Sequence, residues 1–186
     1  MAFILDLVGS MAIRGAIVLI VLKLVLILNT TLYDRTALAN TNVMLGATSD
    51  VMYRDIRLAG YNVTATAFTA AAPTDMQFSG DIDNNGSVDA IRIYGVQDGT
   101  TQLWKVYRVV NGGTPLMIGS GLMSFSFVYK TRNSVVITTP SDSLANIAVI
   151  QATLVGKVNV LSSNLYLDSS KDTTATREFR VFPLNL

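Results

Sequence analysis

Cysteine and histidine are both absent from this chain of 186 residues, and glutamate occurs once, as Glu178. Their absence removes the most common general base, the Ser-His-Asp triad, the HExxH zinc site and the cysteine nucleophile. Aspartates, serines and lysines remain, so composition alone does not exclude catalysis, but we expect that this protein is not an enzyme. Because disulfides are impossible, burial of an apolar core must hold the fold together.

Charge is also scarce: 14 basic and 13 acidic residues give a net charge of +1. The sequence contains no basic cluster, which is the usual mark of a nucleic-acid-binding surface. We therefore predict no nucleic-acid partner. The length suits one domain together with an anchor helix.

The first 28 residues are almost wholly apolar. About 20 such residues are enough for a helix to span a bilayer. The segment differs from a secretory signal, because it lacks a basic start and is not followed by a small-residue cleavage site. We therefore predict a membrane-competent helix over residues 1–29.

Three charged residues, Asp6, Arg14 and Lys23, interrupt this apolar segment. An ionisable group in hydrocarbon is costly and usually has a partner or a function. Asp6 and Arg14 are separated by about 12 Å along a helix, which is too far for an ion pair within one chain. We predict that these charges pair between neighbouring helices during assembly. The alternative is that Lys23 snorkels and that Asp6 and Arg14 lie near an interface.

Helical periodicity continues beyond the apolar segment. Apolar or small pairs recur every seven residues, at Ala37/Leu38, Met44/Leu45, Val51/Met52 and Leu58/Ala59. This spacing places one stripe on a helix, which we expect to lie on a core. Gly60 is a plausible helix stop, so we predict one helix from about residue 3 to 59.

The rest of the chain has the character of short strands separated by turns. We predict a loop at 63–75, a turn at 119–121, a loop at 168–176, and strands at 76–79, 88–94, 102–110, 116–118, 122–130, 134–138, 147–155 and 177–182. Short connections between adjacent strands favour an antiparallel sheet. The predicted fold is therefore α+β: a long N-terminal helix, apolar in its first half and amphipathic over 30–60, packed on an antiparallel β-rich head at 61–186.

Oxygen-bearing side chains recur at alternate positions between two predicted strands. Asp81, Asp83, Asn85, Ser87 and Asp89, with Gly86 among them, match several positions of an EF-hand-type calcium loop. Position 12 of that pattern is Arg92 instead of a bidentate glutamate. A calcium site and a plain polar hairpin, in which Asn and Gly supply positive φ, are both consistent with the sequence. No other cofactor is required.

Three segments carry a family resemblance: YRDIRLAGY at 53–61, FSGDIDNNGSVDAIRIYG at 78–95 and TREFRVFPLNL at 176–186. In this order, after a long apolar helix, they resemble type IV pilins and type II secretion pseudopilins, with W-type minor pilins closest in look. The first is similar to the end of their long helix, the second to the Asp/Gly hairpin that follows it, and the third to their closing strand.

The resemblance implies a structural subunit of a filament. Such a subunit waits in the inner membrane and then assembles, with copies of itself or with other pilins, into an extracellular or periplasmic filament. The alternative is a single-pass membrane-anchored surface protein that binds a partner or adheres. The start of the chain departs from the family pattern, because the short basic leader and the FTLIE sequence have no direct counterpart here.

Overall fold

The computed structural model describes residues 2–159 and 173–183, and describes side chains from Val8 onward. Helix α1 spans Ala2–Arg57. Seven strands follow: β1 (Phe68–Ala72), β2 (Asp75–Gly80), β3 (Asp89–Gln97), β4 (Trp104–Val110), β5 (Leu116–Lys130), β6 (Val149–Val158) and β7 (Thr173–Val181). Two 3₁₀ turns, at Pro140–Asp142 and Leu144–Asn146, lie between β5 and β6.

The chain divides into two compact units. The first comprises Met1–Ala39 with Val158–Thr173, and the second comprises Asn40–Lys157 with Thr174–Leu186. In the first unit, the apolar side chains of α1 from Val8 to Leu28 are exposed. Among the described residues, α1 is the one helix that is long and apolar enough to cross a membrane.

Hydroxyl groups that follow the apolar segment are bonded within the helix itself. Thr30 and Thr31 both donate to the carbonyl oxygen of Ile27, at 3.0 and 2.8 Å. Thr36 donates to the carbonyl oxygen of Leu32 at 2.9 Å. Because these donors are already satisfied, this part of α1 tolerates apolar surroundings better than its threonine content suggests.

In the second unit, one face of α1 packs on the sheet. Leu45, Met52 and Ala59 from the predicted stripe are buried, and Ile56 joins them. The stripe is therefore confirmed over this part of the chain. Thr48 is also fully buried, and its hydroxyl donates to the carbonyl oxygen of Ile118 at 2.7 Å.

The helix ends near the predicted stop. After Arg57 the chain turns, and Gly60 adopts a left-handed φ of 82°. Its N–H donates to the carbonyl oxygen of Ser79 at 2.8 Å, which ties the helix end to β2. Glycine adopts this φ at little steric cost, so it suits this position.

The seven strands lie in the sheet in sequence order, and β1 to β6 pair antiparallel with their neighbours. Strand β5 has two partners: its first half pairs with β4 and its second half with β6. Beyond β4, the β1–β2 turn approaches β5, since Phe127 donates its N–H to the carbonyl oxygen of Pro73 at 2.7 Å. The sheet is therefore curled, and the predicted α+β class is confirmed.

Four of the predicted element assignments need correction. The loop predicted at 63–75 contains β1, because Thr and Ala give only a weak strand signal there. The turn predicted at 119–121 lies inside β5, where the register shifts next to Gly121. In both places tertiary packing outweighs local composition.

The strand predicted at 134–138 is reduced to an isolated bridge between Lys130 and Val136, because the chain turns sharply there. The loop predicted at 168–176 overlaps the beginning of β7 at Thr173. Its remaining part, 168–172, lies outside the described residues. The prediction of a closing strand over 177–182 agrees with the position of β7.

Candidate functional site

The β2–β3 connection brings three carboxylates together. One oxygen from each of Asp81, Asp83 and Asp89 lies within 4.8 Å of the other two. Asp81 and Asp89 are buried, whereas Asp83 is exposed. Carboxylate oxygens at such spacing are the donors that hard divalent cations such as Ca²⁺ prefer.

Local hydrogen bonds shape this connection. Asp81 accepts the backbone N–H groups of Asn85 and Gly86, at 3.0 and 2.9 Å. Asn84 and Gly86 take left-handed φ values of 58° and 87°, which closes the turn around the Asp81 carboxylate. The alternation of Asp, Asn and Gly in the sequence therefore encodes the turn directly.

Asn85 and Ser87 are also predicted ligands, and both are exposed. The side-chain amide of Asn85 donates to Asp83 at 2.8 Å, and its carbonyl oxygen accepts the Ser87 N–H at 2.7 Å. These contacts order the turn but occupy the Asn85 side chain. Arg92, at the position of the expected bidentate ligand, instead donates to Asp75 at 3.0 and 2.6 Å.

Two asparagines from distant turns hold the buried carboxylates in place. Asn62 donates to Asp81 at 2.9 Å, and Asn111 donates to Asp89 at 2.7 Å. Both asparagines have positive φ, at 59° and 51°. Sequence reasoning missed them as partners, because only the folded sheet brings their turns beside the loop. An asparagine at a turn is recognisable in the sequence, but the sequence does not show which residue its side chain contacts.

The loop favours the ionised form of Asp81. Burial raises the pKa of this carboxyl, but hydrogen bonds from the Gly86 N–H, the Asn62 side chain and the Asn85 N–H together lower the pKa below its ordinary value. The carboxylate is therefore negatively charged at neutral pH. A cation would meet a preformed anionic group there.

The charges of the apolar helix lie apart from this loop. Arg14 and Lys23 are exposed, and neither has an ion pair or hydrogen bond within the described part of the chain. At 3.6 residues per turn, nine positions place them on opposite sides of the helix. The Asp6 side chain lies outside the described side chains. The predicted pairing between neighbouring helices stays a prediction.

A buried ion pair in the second unit was not predicted. Asp55 is fully buried on the sheet-facing side of α1, and Arg108 on β4 donates to it through Nε and Nη2. Arg54 approaches the same carboxylate at 3.7 Å from a largely exposed position. Asp55 lies in the RDIR segment that carries part of the family resemblance, yet nothing in that segment identifies β4 as the source of its partner.

No protein-family model matches this sequence, and the comparison with curated proteins gave no significant match. The fold defines the class: an α+β protein with a long apolar N-terminal helix and an antiparallel sheet. This architecture is compatible with a pilin-like fold and with a membrane-anchored protein.

Proposed function

We propose that this chain is a structural subunit of a type IV pilus-like filament. The observation that carries the proposal is the surface of α1 in the first unit, where the apolar side chains from Ile17 to Leu28 are exposed. At about 25 cal/mol per Å², each exposed Leu or Val costs on the order of 2 kcal/mol in water. A lipid bilayer and a bundle of like helices both remove this cost.

The subunit waits in the inner membrane and then enters an extracellular or periplasmic filament, with copies of itself or with other pilins as partners. Arg14 and Lys23 support assembly over permanent anchoring, since neither has a partner within the described residues. A solitary anchor gains nothing from a charge at either position.

Asp6 and Arg14 set the stagger between subunits in this proposal. A neighbouring helix shifted by about two turns brings its Asp6 beside this Arg14. Either charge left alone in a low-dielectric core costs roughly 3–5 kcal/mol, so subunits add only where both are neutralised.

Immunoblots of sheared surface material test this assignment. Asp6→Ala and Arg14→Ala are each expected to remove the chain from the sheared fraction without lowering its level in membranes. The exchange Asp6→Arg with Arg14→Asp is expected to restore part of the chain to the sheared fraction. Normal release of the Arg14→Ala chain contradicts the stagger.

The alternative function is a single-pass anchored protein that binds a partner at the surface. It is favoured by the same apolar helix, which is long enough to anchor one chain alone. The two functions differ in one result: an anchored protein stays in the membrane fraction after shearing, whereas a filament subunit is released with the fibres.

The carboxylates of the β2–β3 connection support a second proposal, that a metal ion binds there and stabilises the fold. We infer that Asp81, Asp83 and Asp89 bind one Ca²⁺, with Asn85 and Ser87 completing the oxygen set through side-chain or carbonyl oxygens. Such an ion stabilises the loop between the turns that contain Asn62 and Asn111.

Thermal melting of the full-length chain in detergent, with excess Ca²⁺ or with chelator, tests this role. A ligand that binds only the folded state adds about 2.7 kcal/mol at 100 times its Kd, so the melting temperature must rise. Asp83→Asn, at an exposed ligand position, is expected to reduce that rise. An unchanged melting temperature in excess Ca²⁺ removes the metal from this account.

A further inference from the structure

The second unit carries an apolar cleft at one end of its sheet. The cleft has a volume of about 380 Å³ and lies between β1–β4 and the β4–β5 turn. Its lining includes Tyr94, Val109 and Pro115. Leu116 and Met117, which follow directly in the chain, are 60% and 52% exposed and extend the apolar surface.

Among its described lining residues, the cleft has no unpaired charge that would require an oppositely charged ligand. Arg92 is the charged residue among those that line it, and both bonds of its guanidinium fork go to Asp75. The cleft therefore presents mostly apolar groups, with Thr69, Gln77 and a neutralised arginine among them, and this lining suits an uncharged side chain.

A pair of valines projects from the opposite end of the same sheet. Val135 and Val136 are 62% and 52% exposed. They lie at a tight turn in which the Thr131 N–H donates to the carbonyl oxygen of Val135, and the Val135 N–H donates to the Thr131 hydroxyl. Ser134 takes a φ of 63° in this turn. We call residues 131–136 the valine turn.

The valine turn and the β4–β5 turn of the cleft lie at the two ends of strand β5. Strand β5 begins at the cleft, directly after Pro115, and ends at Lys130, directly before the valine turn. Two copies placed end to end bring them together and leave one cleft and one valine turn free for further copies.

The charges at the two ends are complementary. Arg132 is exposed, is the one ionisable residue within 131–139, and has no ion pair within the described residues. At the cleft end of the sheet, the β2–β3 connection carries the clustered carboxylates of Asp81, Asp83 and Asp89, of which Asp83 is exposed. A bound divalent cation would still leave this cluster with one net negative charge.

We propose that the valine turn of one copy docks in the cleft of the next, with Arg132 facing the acidic β2–β3 connection. Contacts between two different surfaces of the same chain are heterologous, and they continue as an open helix when their rotation does not close. The contact rests on the proposed filament function and specifies how the second units meet within the filament.

Disulfide trapping in the full-length chain tests the contact, because the natural sequence contains no cysteine. The double variant Val135→Cys with Thr69→Cys places one thiol on the valine turn and one at the cleft. Oxidation of sheared fibres is expected to give a ladder of dimers and higher oligomers on a non-reducing gel. The matched control, Val135→Cys with Thr100→Cys, uses an exposed position on the β3–β4 turn and is expected to give no ladder.

Arg132→Glu in the first double variant is expected to slow ladder formation several-fold at low ionic strength, with Arg177→Glu as its control. Fibres that give no ladder, or an equal ladder from the Thr100 control, overturn the contact and leave the filament function intact. Absence of fibres from the wild-type chain overturns both. Loss of fibres in the Thr69 variant alone also supports the contact, because Thr69 and Thr100 are both exposed.

Discussion

The carboxylate of Asp55 is fully buried, and its hydrogen-bonded partner is Arg108, whereas Arg54 approaches it from a largely exposed position. Removing one partner of a buried pair leaves an uncompensated charge and typically costs about 3–5 kcal/mol. Asp55 has no access to water, whereas the Arg108 side chain retains 16% exposure. The two partners are therefore not equivalent.

We predict that Arg108→Met destabilises the chain by about 3–5 kcal/mol and that Asp55→Asn costs less, because the arginine left behind reaches solvent. Thermal melts of the full-length chain in detergent provide the measurement. Arg92→Met is the matched control, since its partner Asp75 is partly exposed and such pairs contribute about 0–1 kcal/mol. Equal losses of stability in Arg108→Met and Arg92→Met would contradict a stabilising role for the buried ion pair between α1 and β4.

Asp81 makes stability depend on pH in the acid range. Its folded-state pKa lies below the ordinary value of 3.8, so the ionised form is the one that folding favours. Its contribution is fully present above that ordinary value and is lost as the pH falls through the lower folded pKa. In chelator, Asp81→Asn is expected to flatten the melting temperature as a function of pH below about 4. If the melting temperature of this variant falls with acid pH as steeply as that of the wild-type chain, Asp81 is not the cause of the pH dependence.

Local chemistry at the residue scale was predictable where the partners are close in sequence. The spacing of Asp81, Asp83 and Asp89 marks them as candidate ligands, and their carboxylates lie close together in the structure. The partners from outside the loop were not predictable. Asn111 reaches Asp89 across 22 positions and Arg108 reaches Asp55 across 53, and only the strand pairing determines those approaches.

At the scale of elements, the seam between α1 and the sheet depends on small residues at points of close approach. A Cβ atom added to Gly119 would lie 2.8 Å from the Thr48 hydroxyl and 3.0 Å from its methyl group. Thr48 cannot easily withdraw, because its hydroxyl is bonded to the carbonyl oxygen of Ile118. Gly119, which the sequence pattern assigns to a turn, therefore makes room for the helix.

We predict that Gly119→Ala destabilises the fold by about 1–3 kcal/mol through overpacking of this seam. Gly99→Ala is the control, since a Cβ atom there meets no atom within 4 Å, and its effect is expected to stay within about 1 kcal/mol. The free energy of unfolding in denaturant measures both. A tolerated Gly119→Ala would mean that the seam is looser than these contacts indicate.

The long helix was predictable because its signal repeats over many residues, and Leu45, Met52 and Ala59 occupy the predicted stripe. Strand β1 was not predictable, since FTAAA has little strand character of its own. Its Phe68 is buried next to Phe78 of β2, with ring centroids 6.1 Å apart, so the strand is stabilised by tertiary packing.

At the scale of the whole molecule, the two units differ in what they expose. The first unit exposes the apolar side chains of α1, which need lipid or other helices around them. The second unit has its own core between α1 and a curled sheet, and presents a loop of clustered carboxylates at its surface. In the proposed filament, the apolar helix mediates assembly and the second unit folds around its own core.

The central claim is that the apolar helix carries this chain into a filament, and antibody-labelled electron microscopy of sheared surface material tests it most directly. The account predicts regular fibres labelled for the wild-type chain and for Thr100→Asp, an exposed change on the β3–β4 turn. It predicts none for Val18→Asp, because a charge at this exposed apolar position costs about 3 kcal/mol in hydrocarbon. Wild-type material without labelled fibres, or normal fibres from Val18→Asp, would contradict the account.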